Sequence, residues 1–350
     1  MQNQTRELFD AYLEHMAQLN GVPDAGRKFS VTPTIQQTLE SKIQESSDFL
    51  GRINVMGVTE QEGEKLGLMI GSTIASTTDT SGAGERSTQD PTSLDNDGYK
   101  CTQTNFDTHL RYSLLDAWAK FADFQTRIRD AIIQRIALDR MMIGWNGTSR
   151  AATSDRVANP LLQDVNIGWL QKVRTAKPEN VIQEVVPASG AVKVGVLANA
   201  TKGDFANLDA LVFDLVNSLL DPWHREAPGL VAVMGRELLA DKYFPLIEAH
   251  GDTPTEARAL DVMMSSMRVG GLQAVRVPFF PSRSVVITTL DNLSIYYQEG
   301  KHRRAIIDNP KKDQIEDYQS SNEAYVVEDH GAFAAAENIT LPNADGTAFE

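Results

Sequence analysis

Phe106 to Gly144 reads FDTHLRYSLLDAWAKFADFQTRIRDAIIQRIALDRMMIG, and the change of period inside it decides the fold. Phe106, Thr108, Leu110 and Tyr112 alternate with Asp107, His109 and Arg111, the two-residue repeat of a half-buried strand. Ser113-Leu114-Leu115-Asp116 then forms a capping box, with Asp where Glu is preferred. Beyond it Trp118, Phe121, Phe124, Ile128, Ile132, Ile136 and Ile143 recur at helical spacing, with Arg127, Arg129, Asp130, Gln134 and Arg135 on the other sides. The spacing predicts a helix over 113–143, a rod of about 45 Å at ~1.5 Å per residue. Such a rod is too long for a small domain to wrap and reads as a spine.

Upstream the chain loosens. Between Gly71 and Gly98, 15 of 28 residues are Gly, Ser or Thr and none is aromatic, so this tract cannot bury a core of its own. Strand-like residues stand on both sides of it, Ile53 and Val55 before and Phe106 to Tyr112 after. Paired with each other, residues 51–112 would make a hairpin-like arm reaching about 65 Å, long enough to lie on a neighbouring subunit. Before the arm, Thr34 to Phe49 carries Ile35, Leu39 and Ile43 at helical spacing. Residues 5–19 repeat that pattern through Leu8, Tyr12 and Leu19, and Asn20-Gly21-Val22-Pro23 ends it. With a polar hinge from Asp24 to Ser30, the first thirty residues look like an appendage.

Downstream, short helices are expected at 168–175, 208–219, 236–247 and 255–264. Val181–Val186 and Ala191–Val196 read as a β-hairpin around Pro187-Ala188-Ser189-Gly190. Strands are expected at 230–234, 273–278, 284–289, 293–297, 303–307 and 325–327. The layout is α+β.

The chain has 350 residues and 41% apolar composition, enough for two domains or one elaborated one. Its charge of −14 excludes a generally basic nucleic-acid binder. Ten of the acids lie between Asp308 and Glu350 against only Lys311 and Lys312. That excess reads either as a solvated tail or as one anionic face of the fold. No apolar run approaches the ~20 residues of a membrane span, and the N-terminus lacks the apolar core of a signal peptide. The single cysteine, Cys101, fits a reducing compartment and reads as a half-buried thiol.

Catalytic patterns are scarce. The chain has no Walker loop, no His-Glu-x-x-His pair and no Gly-x-Ser-x-Gly elbow, and its six histidines share no helical spacing. Asp79-Thr80-Ser81-Gly82 matches the short aspartic-protease string. That chemistry needs a second carboxylate, the string has no second copy, and Ser76-Thr77-Thr78 precedes it in place of an apolar strand. Lys301-His302-Arg303-Arg304, beside Tyr296-Tyr297, reads as a solvated strand end or a partner for acids on another subunit.

Ordered strings along the chain resemble the major capsid proteins of P2-like contractile-tailed temperate phages. They include Glu45-Ser46-Ser47-Asp48-Phe49-Leu50 with Arg52-Ile53-Asn54, Ser72 through Thr80, and Asn159-Pro160 with Leu162-Gln163-Asp164-Val165. Gly168-Trp169-Leu170-Gln171-Lys172, Leu238 through Pro245, Leu293-Ser294-Ile295-Tyr296-Tyr297 and Tyr325-Val326-Val327-Glu328-Asp329 continue the series.

The resemblance implies an HK97-like capsid fold. Its parts would be an N-terminal arm (1–30, then 31–50), an extended E-loop (51–112) and a peripheral domain with its spine helix (113–204). An axial domain (205–280) and a return to the peripheral domain (281–350) would complete it. It implies a structural protein and not an enzyme, with no catalytic, cofactor or metal residues. Pentamers and hexamers of the chain would form an icosahedral head in the host cytoplasm, with an internal scaffold and prohead protease, a portal protein and packaged double-stranded DNA as partners. Family members lose an N-terminal segment to that protease, and by similarity the cut would fall near Phe29-Ser30. An encapsulin-type compartment of the same fold is the first alternative, an aspartic-type hydrolase using Asp79 the second.

Overall fold

The periodic stretches become helices close to where the spacing puts them. This computed structural model describes residues 1–65, 75–81, 85–88, 98–118, 124–249, 267–343 and 345–350. Helix α1 (Asn3–Asn20) stops where Gly21 turns left-handed at φ 64°, which returns its N–H and that of Val22 to the carbonyls of Gln18 and Ala17. Helix α2 (Pro33–Glu45) starts on Pro33, whose missing N–H has no helical partner to lose. The expected spine is helical as α3 (Tyr112–Trp118) and α4 (Phe124–Asn146). Helices α5 (Trp169–Ala176), α6 (Leu208–Ser218) and α7 (Arg236–Ala249) follow. The Asn207 side chain caps α6 by accepting from the Ala210 N–H at 2.8 Å. The helix expected at 255–264 lies outside the described residues.

The larger sheet is organised by one long strand. Counting in chain order, β1 is Phe29–Ser30, β2 Asn54–Val58, β3 Glu62–Glu64, β4 Gly98–Lys100, β5 Thr102–Asn105 and β6 Thr108–Arg111. Then come β7 (Val181–Ile182), β8 (Val192–Lys193), β9 (Leu230–Met234), β10 (Arg268–Val269), β11 (Leu272–Val275) and β12 (Val285–Thr289). The last five are β13 (Leu293–Gln298), β14 (Arg303–Asn309), β15 (Gln314–Val327), β16 (Ala334–Ala336) and β17 (Ile339–Thr340). Strands β13 and β14 run in line along one side of β15, and β5 and β6 along the other, all antiparallel to it. On the outer side, β2 joins β13 in parallel and β1 joins β14 antiparallel. Only 325–327 was legible as strand, because the first part of β15 is polar (QIEDYQSSNEA) and is held by partners on both sides.

The second sheet has the order β10-β11-β9-β12-β16-β7. Every residue of its inner strand β9 is buried, as the unbroken apolar run Leu230–Met234 requires. The sheet also corrects the expected hairpin at 181–196. Strand β7 pairs with β16 and β8 with β17, both in parallel, so each limb finds a C-terminal strand and not its sequence neighbour. Strands from 181–182, 285–289 and 334–336 join 230–234 and 268–275 in this sheet.

Two cores result. One lies between α2, α4, α5 and both sheets and contains Phe49, Trp145, Trp169, Phe280 and Tyr325. Trp169 meets Trp145 at 5.1 Å and Tyr325 at 5.4 Å, both edge to face. Its indole also donates to the Ser294 carbonyl at 3.0 Å. Helix α4 comes so close that a Cβ on Gly144 would stand 2.3 Å from the Trp169 ring. The other core gathers aliphatic residues of α6, β9, β12 and β16, Leu211, Leu215, Val233's neighbours Ala232 and Met234, and Ile287 among them.

Candidate functional site

Three features of this framework could serve a partner: the base of the arm, the N-terminal segment, and a buried ionic cluster between them. The arm is narrower than expected. Strands β2, β5 and β6, at the two ends of 51–112, belong to the large sheet and do not pair with each other. Among the described residues of the arm only β3 and β4 form a ribbon, with Glu62 opposite Lys100 and the two side chains in an exposed ion pair. The ribbon is rooted where Tyr99 stacks edge to face on Tyr296 at 5.0 Å over Cys101, Val58, Ala324 and Val326. Cys101 is completely buried there, not half-buried, and burial pushes its thiol up to about 12, so it is no nucleophile. Most of the Gly/Ser/Thr tract beyond the ribbon lies outside the described residues.

The N-terminal segment lies against the sheet edge. Phe29 and Ser30 face Arg304 and Arg303 as β1, with Phe29 buried and Ser30 exposed. The Ser30 hydroxyl donates to the Gly300 carbonyl at 2.7 Å. Ile306 donates to the Ala25 carbonyl at 3.1 Å, and Val31 to the His302 carbonyl at 2.8 Å. The residues singled out for cleavage therefore sit in a paired strand.

The ionic cluster was missed by sequence reasoning. Arg140 on α4 donates to Glu40 on α2 at 2.5 and 3.0 Å, and to Glu323 on β15 at 3.2 and 2.7 Å. All three are buried. Two carboxylates share one guanidinium, so the cluster is one proton short of neutral. Burial raises the Glu323 pKa against the pull of Arg140, while Glu323 and Glu40 outweigh burial and raise that of Arg140. The signal was a charge inside an apolar stripe: Arg140 stands four residues after Ile136 and three before Ile143.

The remaining candidates resolve as structure. His302 is 3% exposed, neither ring nitrogen has a hydrogen-bond partner, and burial lowers its pKa to about 4. Arg304 pairs with Asp317 of the same chain at 2.7 Å, while Lys301 and Arg303 of the basic run stand exposed. The acidic stretch 308–350 is not a solvated tail. Glu323 binds Arg140, Glu337 binds Arg174 at 2.5 Å, Glu328 accepts from Tyr296 at 2.8 Å, and Asp329 meets His224 at 2.8 Å. These acids tie the last strands to α4, α5, β13 and the loop at His224. Asp79 is exposed and accepts from the hydroxyl and N–H of Ser81 at 2.6 and 2.8 Å, which lower its pKa. That is a turn, closed by hydrogen bonds from Ser81 alone and not by a second carboxyl. Among the described residues no helix is long and apolar enough to cross a membrane.

Comparison with known proteins adds what geometry cannot. Residues 8–339 match the family model described as phage major capsid protein, P2 family. The chain belongs to that family. It is 50% identical to the capsid proteins of Escherichia phage P2 over 97% of this chain and 96% of the relative. It is 42% identical to the major capsid protein of Serratia phage KSP20 over 97% and 98%. Among solved structures, a chain of the satellite phage P4 procapsid that includes the size determination (Sid) protein superposes with a TM-score of 0.80. The two are 47% identical over 97% of this chain and 99% of that one. The fold of this capsid protein is HK97-like, and its role is structural.

Proposed function

We propose that the chain assembles as pentamers and hexamers into an icosahedral phage head that encloses double-stranded DNA. The observation that carries this reading is the near-complete superposition on a procapsid chain. The β3–β4 ribbon serves as the stem of the E-loop, the part that reaches a neighbouring copy. The sheet built on β15 and helix α4 is the peripheral domain, and the sheet built on β9 is the axial one. Head-to-tail contacts that close into rings are heterologous interfaces, each modest alone and cooperative together. A charge of −14 lets such a shell hold a polyanion without gripping it. An internal scaffold with its protease and a portal protein complete the assembly, and the protease removes the segment ending at Phe29–Ser30. Because that bond lies in a paired strand, β1 must peel from β14 before it is cut.

Negative-stain microscopy of the chain expressed with its scaffold tests the reading: uniform spherical shells are expected, and persistent monomers with and without scaffold overturn it. Mass spectrometry of mature particles checks the cut, and intact N-termini at Met1 or Gln2 reject it.

A further inference from the structure

The face of the large sheet under α4 carries four side-chain oxygens in one patch. Strand β5 lies along β15 with Thr102 opposite Glu323 and Thr104 opposite Ser321. Opposite residues share a face, as do residues two apart, so the four side chains stand at the corners of a rectangle of about 5 by 7 Å. Arg140 reaches Glu323 from α4, and Tyr325, two residues on, packs against Trp169, so this is the face turned to the core. Thr104, Ser321 and Glu323 are 4%, 1% and 0% exposed. Thr102 is less covered, but its hydroxyl oxygen is buried with the rest. Among the described residues none hydrogen-bonds to Thr102 Oγ1, Thr104 Oγ1, Ser321 Oγ or Glu323 Oε2. The hydrogen bonds from Arg140 end on the other oxygen of Glu323, Oε1.

A buried oxygen without a partner is costly, and four in one patch point to a ligand that binds oxygen. Charge narrows the class. Arg140 stands against the two carboxylates of Glu40 and Glu323, which leaves the cluster at a charge of about −1. Burial raises the Glu323 pKa, and Arg140 and the Ser321 hydroxyl act against it, so the serine leans on the same carboxyl. His302, which feels both Glu40 and Arg140, adds no charge at neutral pH, since burial lowers its pKa to about 4. We infer that Thr102, Thr104, Ser321 and Glu323 hold one monovalent alkali cation between β5 and β15. One carboxylate and three hydroxyl oxygens form a hard, oxygen-only ligand set, and a single positive charge brings the cluster to neutrality. A divalent ion would overshoot that balance and calls for more carboxylates. Among the described residues no three of His, Cys, Asp or Glu gather to hold one. The ion would fasten β5, the strand on which the chain returns from the β3–β4 ribbon, to the long strand β15. The inference stands apart from the shell reading and needs no second copy.

Urea unfolding of the full chain at pH 7 tests it, in sodium, potassium or choline chloride at one ionic strength, because choline is too bulky for the patch. Once the site fills, each tenfold rise in sodium or potassium should lower the unfolding constant about tenfold relative to choline. Ser321→Ala and Thr104→Val each remove one oxygen and leave the Arg140 bonds in place, and each should abolish most of that difference. The sodium NMR line of the unaltered chain supplies a reading that does not depend on how a variant folds. Its excess broadening should be relieved by potassium and not by choline. Equal unfolding in the three salts overturns the inference, and a proton on Glu323 then neutralises the cluster. A salt difference that survives unchanged in both variants overturns it too, since the cations then only screen the −14 surface. Should neither variant fold, the NMR line decides, and broadening that potassium relieves no better than choline rejects the site.

Discussion

The two cores of this molecule are built on different chemistry. The core under α6 is aliphatic: Leu211, Leu215, Val233's sheet neighbours Ala232 and Met234, and Ile287 are buried in it. The core between α4 and the large sheet interlocks tryptophans and is flanked by the buried cluster of Arg140 with Glu40 and Glu323. Aliphatic packing tolerates exchange of shape at constant volume, whereas a paired charge in a dry site fixes which elements meet and punishes loss of one member. The difference teaches where the fold is specified. Arg140 joins α2, α4 and the long strand β15 at one point.

The largest effect should come from breaking that point. Arg140→Met leaves two carboxylates buried without their cation and is expected to cost about 3–5 kcal/mol in urea unfolding. Replacing all three together, with Glu40→Leu and Glu323→Leu added, should recover most of that loss. If the triple variant is as unstable as the single one, the cluster matters for more than its charge. In the other core, Leu215→Ala should cost about 2–5 kcal/mol through the cavity it leaves. Leu215→Met should cost less than about 1.5 kcal/mol. A Met substitution as damaging there as at Arg140 would erase the contrast between the cores.

His302 sharpens the same comparison through pH. Its folded pKa, lowered by burial from 6.5 to about 4, means that the unfolded chain binds a proton in this window and the folded chain does not. Stability from this group is therefore complete above pH 6.5 and falls as pH drops toward 4, by up to about 3 kcal/mol. Glu40 and Asp317 act on the imidazole to favour its proton, and Arg140 and Arg304 oppose it. Glu323, whose pKa is raised, works the other way above the ordinary carboxyl range, so the difference between two proteins is the measurement. His302→Phe should flatten the urea-stability curve between pH 6.5 and 4 relative to the parent, and parallel curves would refute the assignment.

What could be read from residues alone divides along these lines. Helices α1, α2, α5 and α6 and strand β9 follow from periodicity and stop signals, because their own side chains decide their faces. Strands β7 and β8 were misassigned as a hairpin because their partners lie 140 or more residues away in β16 and β17, and pairing of that range leaves no local mark. The acids of 308–350 looked like a tail because composition does not show that Glu323, Glu328, Asp329 and Glu337 each have a particular cation or hydroxyl waiting. The family strings named the fold; the cluster at Arg140 and the pairing of β1 with β14 needed coordinates.

The smallest effect concerns a single hydroxyl. Tyr325 is 1% exposed, its ring packs against Trp169, and its oxygen has no hydrogen-bond partner. A buried hydroxyl that makes no hydrogen bond has given up those it made to water. Burial accordingly drives its pKa well upward. Tyr325→Phe removes the oxygen and keeps the edge-to-face contact, so unfolding should show unchanged stability or a gain of about 1 kcal/mol. Removal of the ring itself in Tyr325→Ala should cost about 3–5 kcal/mol, as for other buried aromatics. A clear loss in the Phe variant would show that the hydroxyl helps order the Glu323–Arg140 charges beside it, and the aromatic and ionic parts of this core would then be one network.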